Sequence, residues 1–295
     1  MLFYVAHNDW KTVAKIVSLY CPAKIKKRIG MEKKIFLYDF SGIYGDSVAA
    51  GAVHIDCTGI RGTSCYCDPE AEKQLRQRIG EAQGGHPCGM AVNLIDTGDY
   101  HYMTKLLCDR LAGRMPQDTG AQLFLVVLDH HPDMQEPAFG DILSCGGWVS
   151  AALRTNPAIG GALLLGINPE LLPECEGFGD RVRTVVKDSA DDGGVRTMLS
   201  DALGEIAALR GKKVYISIDK DVLGRDVSRT DWDQGNMSFS ELEAILRALY
   251  SLCEVSGVDI CGGMTAGKGG TAEDFAVNTA LDSRILRLLE ELQEA

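Results

Sequence analysis

The segment AQLFLVVLDHHPD, residues 121–133, joins a run of apolar residues to five positions that hold two histidines and two aspartates. A short apolar run without polar alternation is typical of a strand buried on both faces, as in a parallel sheet. Side chains two positions apart on an extended backbone point the same way, so Asp129, His131 and Asp133 can converge beyond this strand, whereas His130 faces elsewhere. The segment therefore predicts a buried strand that presents ligating side chains at its carboxyl end.

Similar apolar runs recur along the chain from Lys34 onward, and we predict strands at 34–40, 89–95, 123–129, 161–167, 183–189, 213–219 and 255–261. Helical patterns lie between them and are clearest at 70–81, 102–113, 195–210, 238–251 and 271–294. Ser238 or Ser240 can cap the fourth of these helices. Strands that alternate with helices predict an α/β fold with a largely parallel sheet.

Composition narrows the class of protein. The formal charge of -11 and the scarcity of basic clusters argue against a nucleic-acid or membrane partner, because both need a basic face. No apolar run approaches the roughly 20 residues that span a bilayer. The ten cysteines are scattered, and Cys65 and Cys67 lack the spacing of a zinc site, so we interpret the cysteines as reduced thiols. These features predict a cytoplasmic protein that acts on a small molecule.

The first thirty residues differ from the rest of the chain. They carry six Lys or Arg residues and one acid, whereas the remainder is strongly acidic. Met31 opens a segment that reads like the start of a domain. We therefore predict a basic extension over 1–30 and a single domain over 31–295, and an extra packed helix is the alternative for the extension.

Two further segments place polar groups at strand ends. SIDKD, residues 217–221, ends a strand with Asp219 and Asp221 two positions apart, and TGDYHY, residues 97–102, follows a strand and presents His101. Each segment alone has an ordinary explanation, since a strand-end aspartate often caps a helix or forms a turn. Carboxylates held close together at a buried edge, however, repel each other unless a cation or a proton intervenes.

Together the three segments supply four carboxylates and two imidazoles at one predicted edge of the sheet: His101, Asp129, His131, Asp133, Asp219 and Asp221. Structural zinc prefers four ligands rich in Cys and His. Oxygen-rich ligation by Asp and His suits two Mn²⁺-class ions that share bridging carboxylates. The sequence therefore predicts these six residues as ligands of two Mn²⁺ ions per chain.

At these residues the sequence resembles the ureohydrolases, the superfamily of arginase, agmatinase and formiminoglutamase. The family's metal motifs are a Gly-Asp-His turn, an Asp-x-His-x-Asp strand end and a Ser-x-Asp-x-Asp strand end. Here the first motif reads GDYHY, with one residue inserted between Asp and His, the second reads DHHPD and the third reads SIDKD. The resemblance covers about residues 34–290. It implies an arginase-like three-layer α/β/α sandwich, a binuclear manganese centre and assembly into a homo-oligomer.

The resemblance also implies two overlapping ligand sets: His101, Asp129, Asp133 and Asp219 for one ion, and Asp129, His131, Asp219 and Asp221 for the other. Asp129 and Asp219 would bridge the ions. A hydroxide between the ions would be the nucleophile, because metal coordination lowers the pKa of water. Asp133 would orient that hydroxide, and Asp99 would fix the direction of a ligand.

The sequence departs from the family at two places. Members that cleave guanidines carry a Glu just after the last strand, where this chain has Gly262, so a bidentate partner for a guanidinium is missing. Many members also carry a histidine for proton transfer downstream of the second motif, but no histidine follows His131 here. Protonation of the leaving amine then falls to another donor: His130, Tyr102 or water.

We therefore predict a binuclear Mn²⁺-dependent hydrolase that cleaves a linear C–N bond, in an amidine, formimino or amide group, and does not act on arginine or agmatine. Asp133 and His130 are its predicted catalytic residues. The alternatives are a zinc-dependent deacylase of the same fold and a non-catalytic metal-binding descendant. The loop after the third motif, LGRDVSRTDWDQGNMS at residues 223–238, contains Asp231, Trp232 and Asp233. Its two aspartates either recognise a cationic substrate or are solvated turn residues.

Overall fold

The computed structural model describes residues 34–44, 51–84, 90–115, 122–137, 139–187 and 197–294. The extension predicted at residues 1–30 lies outside these ranges, so its boundary stays a prediction. Within the described ranges, none of the helices combines the length and the apolar character that crossing a membrane requires.

Eight strands of the described chain form one sheet, and all of their pairings are parallel. They are β1 (Lys34–Asp39), β2 (Val53–Asp56), β4 (Ala91–Ile95), β5 (Leu123–Leu128), β7 (Ile159–Ile167), β8 (Val182–Val186), β9 (Lys213–Asp219) and β10 (Glu254–Cys261). Their order across the sheet is β2-β1-β4-β10-β9-β5-β7-β8. Two short strands, β3 (Tyr66–Cys67) and β6 (Leu143–Ser144), pair antiparallel outside this sheet.

All seven predicted strands are present in the sheet. Strand β2 was not predicted, because it has four residues, three of them exposed, and so lacks the apolar run of a buried strand. This short strand pairs with β1 and lies at one end of the strand order.

The helices are α1 (Pro69–Gln83), α2 (Met103–Ala112), α3 (Trp148–Thr155), α4 (Met198–Ala208), α5 (Phe239–Leu252) and α6 (Ala272–Glu294). Five of them were predicted, and α3 was missed because eight residues give too short a periodic pattern. Ser238 caps α5, as one of the two predicted candidates: its side chain accepts from the Glu241 backbone N–H, and the Glu241 side chain accepts from the Ser238 N–H.

Two apolar clusters cover the two faces of the sheet. Alternate residues of β5 belong to different clusters, since Val126 and Leu128 lie in one and Leu125 and Val127 in the other. The first cluster contains the buried faces of α4, α5 and α6, and the second contains those of α1, α2 and α3. The protein is therefore a three-layer α/β/α sandwich, and the predicted fold class is confirmed.

The parallel arrangement determines where polar side chains gather. The carboxyl ends of all eight strands meet at one edge of the sheet, which is where ligands bind in folds of this kind. The three ligand-bearing segments follow β4, β5 and β9, which lie in the centre of the strand order around β10. The fold therefore brings segments more than a hundred residues apart to one place.

A buried ion pair fastens the last helix to this edge. Lys220 lies between Asp219 and Asp221 in the sequence, and its ammonium Nζ lies 3.0 and 3.2 Å from the two carboxylate oxygens of Asp282 on α6. Both side chains are almost fully buried. Loss of one partner would leave a buried charge uncompensated, which is more costly than loss of both.

We therefore expect Asp282→Ala to lower the free energy of unfolding by roughly 3–5 kcal/mol, measured by urea denaturation. The matched control is Lys220→Met combined with Asp282→Leu, which removes both charges and should stay close to the wild type. A single variant as stable as the wild type would contradict this role of the ion pair.

Candidate metal centre

The structure brings all six predicted ligands together at the carboxyl edge of the sheet. Their donor atoms form groups in which every member lies within 4.8 Å of the others. One group contains His101, Asp129 and Asp133, and another contains Asp129, His131 and Asp221. Asp129 belongs to both groups, and its two oxygens face different histidines, which is the arrangement that a bridging carboxylate requires.

The resemblance implies that Asp219 bridges the two ions, and this role stays a prediction. Its donor atom groups with His101 and Cys261, and it is not part of the group around His131. Its Oδ1 accepts a hydrogen bond from the backbone N–H of Asp221, so Oδ2 is the oxygen that faces His101, at 3.5 Å. Within the described residues, Asp129 is therefore the carboxylate that both groups share.

Hydrogen bonds set the tautomer of His101. Its Nδ1 lies 2.9 Å from Asp133 Oδ2 and 3.2 Å from Asp129 Oδ2, while its Nε2 lies 2.8 Å from Ser217 Oγ. Ser217 Oγ donates its hydrogen to Asp259 Oδ1 at 2.6 Å, so it accepts from the Nε2–H of His101. The lone pair of a neutral His101 is then at Nδ1, directed at the carboxylates, as a metal ligand requires.

His131 is held in the same manner. Its Nδ1 lies 3.0 Å from Asp221 Oδ2 and its Nε2 lies 2.8 Å from Asp233 Oδ1. The pKa of Asp233 is lowered: partial burial alone would raise it, but the hydrogen bond to His131 and the charge of that ring outweigh burial. An ionised Asp233 accepts from Nε2–H and leaves Nδ1 for a cation. Asp233 is exposed, as the solvated alternative expected, and it also orients the ring of His131.

The carboxylates of this cluster are buried and repel one another. Burial, together with the charge of Asp129, raises the pKa of Asp133 to about 7. Burial and the neighbouring carboxylates also raise the pKa of Asp219 and that of Asp221. Burial would raise the pKa of Asp129 too, but hydrogen bonds to His101 and His131 hold it below its ordinary value. Divalent cations relieve this repulsion, and donors made of carboxylate oxygen and imidazole nitrogen fit them.

Trp148 is a contact of the cluster that sequence reasoning missed. Its indole Nε1 donates to Asp133 Oδ2 at 2.6 Å, and its ring lies 5.0 Å from that of His101. The expected extended path after β5 is also wrong, because Asp133 has a φ of 50° in the left-handed region. Asp133 therefore reaches the cluster by a turn, and Trp148 at the start of α3 supports its side chain.

Asp99 fastens a loop and has no hydrogen bond or ion pair with a predicted ligand in the described structure. It accepts from Trp232 Nε1 at 3.1 Å and from Lys268 Nζ at 2.8 Å. Lys268 Nζ also lies 3.1 Å from Asp231 Oδ2, so one ammonium lies between the carboxylates of Asp99 and Asp231. This network holds residues 231–233 beside the metal cluster.

The three predicted proton donors differ in position. Tyr102 is fully buried, and its hydroxyl donates to the Thr63 carbonyl at 2.6 Å. His130 lies at the more open side, where its Nε2 is 3.5 Å from Asp233 Oδ2. Burial and the charge of His131 lower the pKa of His130, so an imidazole that can exchange protons stands beside the cluster. Its ring centroid lies 5.4 Å from that of His131, and both rings approach the carboxylate of Asp233.

Gly262 follows β10 with a φ of 87°. A Cβ at this position would lie 2.3 Å from Asp219 Oδ1 and 2.8 Å from the Lys220 backbone nitrogen. Any side chain here would collide with a predicted ligand. As the site is arranged, it leaves no room for a Glu side chain at this position.

We expect Gly262→Ala to displace Asp219 and to weaken Mn²⁺ binding by roughly tenfold or more, the scale on which changes beside a metal ligand act. Isothermal titration calorimetry of the metal-free protein measures the affinity. The control is Gly267→Ala, since a Cβ at Gly267 would meet its nearest neighbour at 4.0 Å. Equal Mn²⁺ affinity in both variants would refute the steric argument.

We expect Ser217→Ala to free the His101 ring from its Nε2 contact and to lower metal affinity by roughly 10–100-fold. The matched control is Ser150→Ala, since Ser150 is equally buried but donates to backbone carbonyls of Gln135 and Gly147. Elemental analysis after dialysis against a weak chelator compares the two variants. Full metal retention by Ser217→Ala would contradict the tautomer argument.

Several solved structures share this fold over most of their length. A proclavaminate amidino hydrolase from Streptomyces clavuligerus aligns with a TM-score of 0.65 at 15% identity, over 91% of this chain and 94% of that chain. A hypothetical agmatinase from Burkholderia thailandensis aligns at 0.62 with 16% identity, over 90% and 88%. A formimidoylglutamase from Bacillus subtilis aligns at 0.60 with 14% identity, over 90% and 89%. At these identities the likeness establishes the shared fold.

No curated protein sequence matches this chain at a significant level. The sequence model of the arginase family, however, matches residues 97–262, which is more than half of the chain. The matched range contains all six residues that were predicted as ligands from their motifs. On this match the chain belongs to the arginase family, within the ureohydrolase superfamily that its motifs indicated.

Proposed function

We propose that this protein is a hydrolase that uses two Mn²⁺ ions to cleave a linear C–N bond of a small polar metabolite. The observation that carries the proposal is the sharing of Asp129 between two donor groups, one around His101 and one around His131. A site for a single ion would not need two imidazoles on opposite sides of one carboxylate.

In this proposal, one ion is held by His101, Asp129, Asp133 and Asp219, and the other by Asp129, His131 and Asp221. Such ions, when bound, lower the pKa of coordinated water by many units and so supply a nucleophile near neutral pH. The polypeptide contributes the placement of its donors. Because Ser217 and Asp233 occupy the outer nitrogens of the two histidines, the inner nitrogens would be available to hold the ions.

Two further side chains have proposed roles in the reaction. Asp133 is held by Trp148 through one oxygen, so its other oxygen can accept a hydrogen bond from the attacking water and orient it. His130, on the more open side near Asp233, can donate a proton to the departing amine. Tyr102 is not assigned this role because its hydroxyl is used by the Thr63 carbonyl.

The proposed substrates are amidines, formimino compounds or amides, and neither arginine nor agmatine. A guanidinium needs a bidentate carboxylate, and the backbone at Gly262 leaves no space for one. Solved structures of the same fold carry names of enzymes that act on amidino and formimidoyl compounds, which agrees with this choice of bond. A zinc deacylase would need a tyrosine over its metal, and the buried contact of Tyr102 gives that alternative no support.

The test combines metal analysis with turnover. Protein purified without chelator should contain close to two Mn per chain and should hydrolyse at least one member of an amidine, formimino and amide panel, measured as the appearance of the released amine. We expect Asp129→Asn to lose both ions and all turnover, because the shared carboxylate serves both donor groups. The control is Asp226→Asn, an exposed acid in the loop after β9, which should behave like the wild type.

Three results would contradict the proposal. One is a single bound ion per chain, and a second is undiminished metal content in Asp129→Asn. The third is robust release of urea from arginine, which would show that a guanidinium is accommodated despite Gly262.

A further inference from the structure

One thiol lies inside the metal cluster. Cys261 is the last residue of β10, is fully buried, and is paired in the β9–β10 register with Asp219. Side chains of residues paired across parallel strands project from the same face of the sheet. The backbone therefore fixes the thiol beside a predicted ligand, and Cys261 Sγ lies 3.0 Å from Asp219 Oδ2.

The thiol also lies close to His101. The donor atoms of His101, Asp219 and Cys261 are all within 4.8 Å of one another, and all three residues are buried. Of the cysteines in the ranges that the structure describes, Cys261 alone belongs to such a group. The orientation of Asp219 fits this arrangement, since Oδ1 is taken by the Asp221 backbone and Oδ2 is left between the imidazole and the thiol.

A buried cysteine is often only a small apolar side chain. Cys253, which directly precedes β10, illustrates that case, because its thiol donates to the backbone carbonyl of Leu209 at 3.5 Å. Cys261 differs because its neighbours are a carboxylate oxygen and an imidazole that are themselves predicted donors to one ion. A sulfur atom at this separation from both can reach a cation placed between them.

We propose that Cys261 is a ligand of the ion on the His101 side of the centre, with Asp219 and His101 beside it. The inference rests on the proposed function, since it requires an ion next to His101. On binding, the S–H bond breaks, the proton leaves to solvent and the sulfur donates its electron pair to the cation, with no change of oxidation state.

A thiolate makes the two metal positions chemically unequal. Sulfur favours thiophilic ions such as Zn²⁺, whereas the position around His131 and Asp221 offers oxygen and nitrogen alone among its grouped donors. The His101 side is therefore the thiophilic position of the pair. Replacement of Cys261 by Ser should lower the preference of this position for Zn²⁺ over Mn²⁺ by roughly tenfold.

The test loads the metal-free full-length protein with Co²⁺, whose visible d–d bands report binding and whose near-ultraviolet thiolate-to-cobalt charge-transfer band reports a sulfur ligand. Four proteins are compared: the wild type, Cys261→Ser, Cys261→Ala and the matched control Cys253→Ser. Circular dichroism establishes that each is folded, and Cys261→Ala serves as a second variant should the serine variant unfold. The Zn²⁺ to Mn²⁺ preference is measured by competition on the same proteins.

We expect the charge-transfer band in the wild type and in Cys253→Ser, and its loss in both Cys261 variants while the d–d bands remain. Cobalt binding by the wild type without the charge-transfer band overturns the thiolate assignment and leaves the proposed function standing. Persistence of the band in folded Cys261→Ser also overturns it. A wild type that shows no d–d bands at any Co²⁺ concentration overturns the metal centre itself, and the thiolate with it.

Discussion

Repulsion among four buried carboxylates is the constraint around which the carboxyl edge of the sheet is organised. Asp129, Asp133, Asp219 and Asp221 are each at most 6% exposed, and charges taken out of water at such separations destabilise a fold unless positive charge balances them. The contacts around the four carboxylates orient the groups that can balance their charge. Ser217 and Asp233 hold the two imidazoles so that their inner nitrogens face the acids, and Trp148 steadies Asp133 from the side.

The features that the sequence predicted well depend on local pattern. Apolar runs located the seven buried strands, and the polar motifs that follow three of them placed the six candidate ligands at one edge of the sheet. The elements that were missed lack such a pattern. β2 is short and exposed, and α3 is too short to show a period.

Other parts of the site could not be predicted because they depend on which strands become neighbours. Cys261 reaches Asp219 only through the β9–β10 register, and Asp259 reaches Ser217 across the same pair of strands. Trp148 donates to Asp133, whose backbone lies in the left-handed region, whereas the sequence predicted an extended backbone there. The loop acids were ambiguous in sequence, and their partners, Lys268 for Asp231 and His131 for Asp233, lie 37 and 102 positions away.

The order of strands has a consequence for how the protein matures on the ribosome. β10 is the last strand to be synthesised, yet it lies between β4, which precedes His101, and β9, which carries Asp219. A nascent chain that ends before Glu254 can pair β5 with β9 and so bring His131 close to Asp221. In that chain β4, which leads to His101, is not yet connected to β9, because β10 lies between them in the sheet. The His101 and Asp219 segments therefore come together only after β10 has been synthesised and inserted between β4 and β9.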